Sequence, residues 1–187
     1  EILSLRNLSY QARAKIVLGK FLTDYTEEEL EECVSNAYSY DKFPVKEVAP
    51  VKKINKNMYM LELWHGPTCA FKDMALQILP HLLTKAVKKT GETNEIVILV
   101  ATSGDTGKAA LEGFANVPGT RIIVFYPENG VSDMQKLQMT TQTGDNVAVC
   151  AIKGNFDDAQ TGVKNIFSNQ AMQEALAGKN MVFSSAN

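Results

Sequence analysis

The sequence predicts an α/β protein: a parallel sheet with flanking helices, in a three-layer α/β/α arrangement, preceded by N-terminal helices. Three observations carry this. The second half holds three continuous apolar runs, EIVILVA at residues 95–101, RIIVFY at 121–126 and NVAVCAI at 146–152, with a weaker fourth, MVFS, at 181–184. Helical segments are expected between them at 107–116, 133–143 and 157–176. Strands that read apolar throughout and alternate with helices build βαβ units, whose sheet is parallel and covered on both faces. The first third, by contrast, shows helix patterns and capping signals.

In chain order, a helix is expected over residues 10–21, with Gly19 weakening or stopping it. Thr26-Glu27-Glu28-Glu29 is a capping-box pattern and predicts a helix over 27–37, whose acidic first turn suits the helix dipole. Residues 42–57 carry Pro44 and Pro50 and read as a connector. A short strand is expected at 58–63, cut off by Gly66-Pro67. A long helix follows at 71–89, and Pro80 inside it should kink or divide it. Ser132 with Gln135 forms a second capping box, for the helix at 133–143.

The chain has 187 residues, 45% of them hydrophobic, and a formal net charge of −2. That suits a soluble globular protein of one large or two small domains. The balance of charge gives no footprint for nucleic acid or for an acidic membrane, and no apolar run is long enough to span a bilayer. Cys33, Cys69 and Cys150 are odd in number and widely spaced, so reduced thiols in the cytoplasm are expected, and with only His65 and His81 no metal site is.

Three loops are candidates for chemistry. ATSGDTGKAA, residues 101–110, joins the first apolar strand to a helix. Ligands of open α/β sheets bind at the carboxyl ends of strands, and a glycine-containing turn at a helix N-terminus accepts anions. Thr102, Ser103 and Thr106 add hydroxyls there, and the plainer reading is that Asp105 or Thr106 only caps the helix. KGNFDDAQ, residues 153–160, has Gly154 and Asn155, but Asp157 and Asp158 disfavour an anion and favour a simple helix start with acidic caps. HGPTCAFKD, residues 65–73, places Lys72 among apolar neighbours. A lysine in such a setting serves Schiff-base chemistry; the plainer reading is a surface lysine with Asp73 as its salt-bridge neighbour.

Taken together, HGPTCAFKD at 65–73 and ATSGDTG at 101–107 resemble threonine synthases of the longer microbial and fungal type. The resemblance continues through FYPENGVSDMQKLQM at 125–139, KGNFDDAQ at 153–160 and FSSAN at 183–187. It implies a pyridoxal-phosphate (PLP) enzyme of fold type II. It assigns Lys72 to a Schiff base with PLP, and Ser103, Gly104, Asp105 and Thr106 to the cofactor. It assigns Thr102, Ser103, Thr106 and Asn187 to the substrate, O-phospho-L-homoserine. Related enzymes often carry asparagine where this chain has Asp105, and leucine where it has Cys69. The implied reaction is a lyase reaction that turns O-phospho-L-homoserine and water into L-threonine and phosphate.

The resemblance also implies an internal fragment, because the family's PLP-phosphate loop and its partner for the pyridine nitrogen are not visible in the sequence. Residues 1–93 are then expected to belong to a large domain and 94–187 to form the small α/β domain. Weak or no PLP binding by the fragment is expected, and a homo-oligomer is left open. The competing readings are a threonine-synthase-like phospho-lyase, a non-catalytic small-molecule-binding α/β module, and an interaction domain that docks through the acidic helix at 27–32.

Overall fold

The computed structural model describes residues 2–186, and the chain divides into two compact units, Glu1–Lys85 and Ala86–Asn187. In the first, helix α1 (Tyr10–Gly19) is capped by Ser9, and α2 (Glu27–Ala37) by the expected Thr26–Glu29 capping box. α1 ends at Gly19, as the cost of glycine in a helix suggests. Cys33, Val34, Ala37 and Tyr38 bury themselves with Phe43, Val48 and Ile78 against Tyr10, Leu18, Met74 and Leu82. The Tyr38 hydroxyl donates to the Met74 carbonyl at 2.7 Å, and burial with Tyr10 alongside pushes its ionisation far up. That bond ties the segment around Lys72 to α2.

The connector expected at 42–57 contains a strand. β1 (Val51–Lys53) pairs antiparallel with β2 (Tyr59–Leu61), and Val51 lies opposite Leu61. Two lysines in a three-residue strand hid its pattern, and every residue of both strands is exposed. The helix expected at 71–89 is divided: α3 (Asp73–Leu76) ends before α4 (Leu79–Thr90) begins. Pro80 lies in the first turn of α4, where a missing N–H costs no helical bond.

The second unit carries the parallel sheet. Its strands are β3 (Glu95–Ala101), β4 (Thr120–Pro127), β5 (Val147–Ile152) and β6 (Met181–Ser185), in the order β5-β4-β3-β6. The four apolar runs are these four strands. Val97, Leu99 and Ala101 face Ala159 and Val163 of α7 (Phe156–Ser168), together with Ile123 and Phe125. The alternate residues Ile98, Val100, Ile122 and Val124 are buried on the other face, where Gly107 of α5 (Asp105–Phe114) lies tight against Val124. These faces give the three layers. Helix α6 (Asp133–Thr140) starts at the expected Ser132–Gln135 capping box. The single helix expected at 157–176 is two, because Asn169 leaves helical geometry and its side chain caps α8 (Gln170–Ala177).

Candidate active site

In the first unit, HGPTCAFKD folds as consecutive turns: the Cys69 N–H donates to the Gly66 carbonyl and the Asp73 N–H to the Ala70 carbonyl. Cys69 holds a left-handed backbone at φ 57°, an uncommon conformation for a residue with a Cβ. Asp73 is fully buried and turns back, accepting the Thr68 N–H at 2.9 Å and the Thr68 hydroxyl at 2.7 Å. It comes so close to Gly66 that a Cβ there would lie 2.5 Å from Asp73 Oδ2. Only glycine permits this approach.

Lys72 is half-buried, and its ammonium stands 5.1 Å from the centre of the Phe71 ring. Phe71 itself is exposed, so the apolar enclosure anticipated around the lysine is not closed within this unit. The salt bridge that the plainer reading expects with Asp73 is not formed, because both carboxylate oxygens of Asp73 accept from Thr68. Among the described residues Lys72 has no carboxylate partner. Earlier in the segment, His65 Nε2 lies 2.7 Å from Glu62 Oε2, and its ring packs 5.6 Å from that of Trp64.

In the second unit, the loop after β3 is shaped from inside. Thr102 is buried, and its Oγ1 accepts the N–H groups of Gly104 at 2.9 Å and Gly107 at 2.8 Å. Gly104 is the N-cap residue of α5 at φ 136°, a conformation that glycine alone adopts readily; it has no side chain to cap the helix, and the Thr102 hydroxyl takes the Gly107 N–H of the first turn instead. The capping reading for Asp105 and Thr106 therefore does not hold. Ser103 is exposed and Thr106 half-buried, and among the described residues the N–H groups of Ser103, Asp105 and Thr106 make no hydrogen bond. Asp105 Oδ1 accepts the Gln135 amide at 2.8 Å and lies 3.4 Å from the Lys108 ammonium. The sequence reading missed Gln135 and Lys108 as neighbours of this loop. Lys108 carried a faint signal, its spacing of three from Asp105 on a helix.

KGNFDDAQ behaves as the plainer reading expects. Asn155 accepts the Asp158 N–H, and Asp158 reaches back to accept the Asn155 N–H at 2.8 Å. Asn187 lies outside the described residues. In α2, Glu31 pairs with Lys15 at 2.8 Å, Glu32 pairs with Lys85 at 2.6 Å and Glu29 serves the capping box, so much of the acidic face is already engaged. Among the described residues no helix is long and apolar enough to cross a membrane.

Residues 42–185, which include both candidate loops, match the pyridoxal-phosphate dependent enzyme family. The chain belongs to that family. Within it, the chain is similar to a threonine synthase of Pseudomonas aeruginosa, 43% identical over 168 residues that make up 90% of this chain and 34% of that protein. It is 37% identical to the human threonine synthase-like 1 over 173 residues, 89% of this chain and 23% of that protein. Among solved structures, a PLP-bound threonine synthase from Brucella melitensis superposes with a TM-score of 0.85 at 37% identity, covering 100% of this chain and 38% of that one. The fold of this family member is thus that of the threonine synthases. The chain spans about a third of the length of the first relative.

Proposed function

We propose that the protein carrying this chain is a threonine synthase, which converts O-phospho-L-homoserine and water to L-threonine and phosphate. The observation that carries the reading is Lys72: a half-buried lysine without a carboxylate partner among the described residues, held by a turn whose own acid is used internally. An amine in that condition fits an aldehyde cofactor, because no salt bridge has to be broken to free it. The loop at 102–106 fits an anionic group, since it offers three free N–H groups at a helix N-terminus.

PLP, when bound at Lys72, supplies the electron sink for breaking bonds at Cα and Cβ. Lys72, which would hold PLP, would also serve as the base that moves the proton from Cα and again at Cβ. Ser103 and Thr106 hold the substrate carboxylate, which fixes the Cα–H bond that breaks, while Thr102, expected to join them, is buried and shapes their loop from inside. Ser103, Gly104, Asp105 and Thr106 line the cofactor side, and Asn187 contributes to the substrate. Phosphate leaves from Cγ, and the hydroxyl of the product comes from water at Cβ. Residues 1–93 belong in this reading to a large domain and 94–187 to the small one, with the cytoplasm as the setting.

The test is borohydride reduction of the natural full-length protein with PLP, followed by peptide mapping. A pyridoxyl adduct on Lys72, absent from Lys72→Ala, is expected. An adduct scattered over surface lysines would refute the assignment. A second reading is a phospho-lyase that eliminates phosphate without making threonine, kept open because the chain also matches a human protein named threonine synthase-like 1 and not threonine synthase. Analysis of the amino-acid product separates the two.

A further inference from the structure

Asp105 poses an electrostatic problem. It is the first residue of α5, so its carboxylate stands where the helix dipole and the free N–H groups favour an anion. Left alone, it would repel the charge that the loop is proposed to hold. The structure restrains it from the side of α6. Oδ1 accepts the Gln135 amide and faces the Lys108 ammonium, at 2.8 and 3.4 Å. Lys108 is only 8% exposed, and it also donates to Gln138 Oε1 at 2.9 Å. Gln135 and Gln138 are one turn apart on α6, so one face of that helix grips the first turn of α5. Gly104 belongs to the same grip, since a Cβ there would sit 2.3 Å from the Gln135 amide carbon. Withdrawing a lysine from water is costly unless its charge is paired. Among the described residues its polar partners are Asp105 and Gln138.

We propose that Lys108 is a positioning residue for substrate binding. Its buried charge offsets that of Asp105. With Gln135 it draws the carboxylate toward α6, which leaves the N–H groups of Ser103, Asp105 and Thr106 open to the carboxylate of an amino-acid substrate. The proposal rests on the reading that residues 102–106 hold that carboxylate.

The experiment is calorimetric titration of the natural full-length protein, loaded with PLP, with L-homoserine, which carries the carboxylate and no phosphate. Lys108→Gln keeps a hydrogen-bond donor and drops the charge. It is expected to weaken binding about tenfold, and more at low ionic strength than at high. Adding Asp105→Asn removes the repelling charge and should recover roughly threefold or more of that loss. Lys108→Met is the second variant, and thermal melts accompany each. Unchanged affinity in Lys108→Gln overturns the proposal. So does a loss that Asp105→Asn fails to relieve, or the failure of both Lys108 variants to fold, because each marks the lysine as packing alone. A wild-type protein that binds neither L-homoserine nor O-phospho-L-homoserine overturns the reading of the loop itself, and is seen before any variant is made.

Discussion

Removing the Asp73 carboxylate should unfasten the turn that presents Lys72. The acid is fully buried and satisfies two donors of Thr68, itself buried, at 2.9 and 2.7 Å. In Asp73→Ala neither donor keeps this acceptor. A buried polar group left stranded costs about 1–3 kcal/mol, so two predict a loss of about 4 kcal/mol. Asp73→Asn keeps the shape and one acceptor oxygen for the N–H, while its amide can donate to the rotated hydroxyl. That variant should lose about 1–2 kcal/mol. Against a domain stability of about 5–15 kcal/mol, the alanine variant approaches the threshold of folding. Gly66→Ala should act through the same bonds, because its Cβ would meet Asp73 Oδ2 at 2.5 Å. The double variant should therefore fall well short of the sum of the singles. The assay is urea unfolding followed by the fluorescence of Trp64, the one tryptophan in the chain. Equal midpoints for Asp73→Ala and the wild type, or additive losses in the double variant, would refute the reasoning.

Further outcomes follow from the second loop and from the helix core. Gly104→Ala places a side chain at φ 136° and against Gln135, at a backbone cost of about 1–3 kcal/mol; calorimetry should show a lower melting temperature and L-homoserine titration a weaker affinity. Lys72→Ala should lose the pyridoxyl adduct on its peptide and turnover together, and turnover near the wild-type rate would exclude the lysine from the chemistry. Burial, with Lys42 nearby, holds His81 below its ordinary value of 6.5. The unfolded chain then binds that proton more readily, so the contribution to stability is complete above pH 6.5 and is lost as pH falls through the folded value. His81→Gln should flatten this part of the pH–stability curve measured by urea unfolding.

β3 was legible because it buries both faces, which forces a continuous apolar run that composition alone reveals; β4, β5 and β6 carry apolar runs too, although they leave positions exposed or half-buried. The exposed hairpin of β1 and β2 has no such constraint, and Lys52 and Lys53 made half of it look like a connector. Asn169 was passed over inside a helical run because its capping role depends on where its side chain turns, onto the Met172 N–H at 3.1 Å. Helix α5 starts two residues before the expected Gly107 because Gly104, not a side chain, serves as its N-cap. Boundaries of this kind are set by single side-chain or backbone choices that periodicity does not report.

The candidate site divides in the same way. Lys72 and the loop at 102–106 stand out in the sequence because their residue types are unusual for their surroundings. What makes each usable does not stand out, because it is a matter of where neighbouring carboxylates go. Asp73 lies next to Lys72 in the chain, and charge alone would pair them. Instead the tight approach at Gly66 and the two donors of Thr68 take the acid inward, and among the described residues the lysine has no carboxylate partner. Asp105 stands at a helix N-terminus, and charge alone would have it block an anion. Gln135 and Lys108 take it toward α6 instead. In both loops the group proposed to react or to bind is left open by a second group that occupies the competing carboxylate. For Asp105 the second group is Gln135, distant in sequence, together with Lys108 one turn along α5, and for Asp73 it is hidden inside the motif, so a reading of charge and spacing along the chain finds the first group and assigns it the wrong partner.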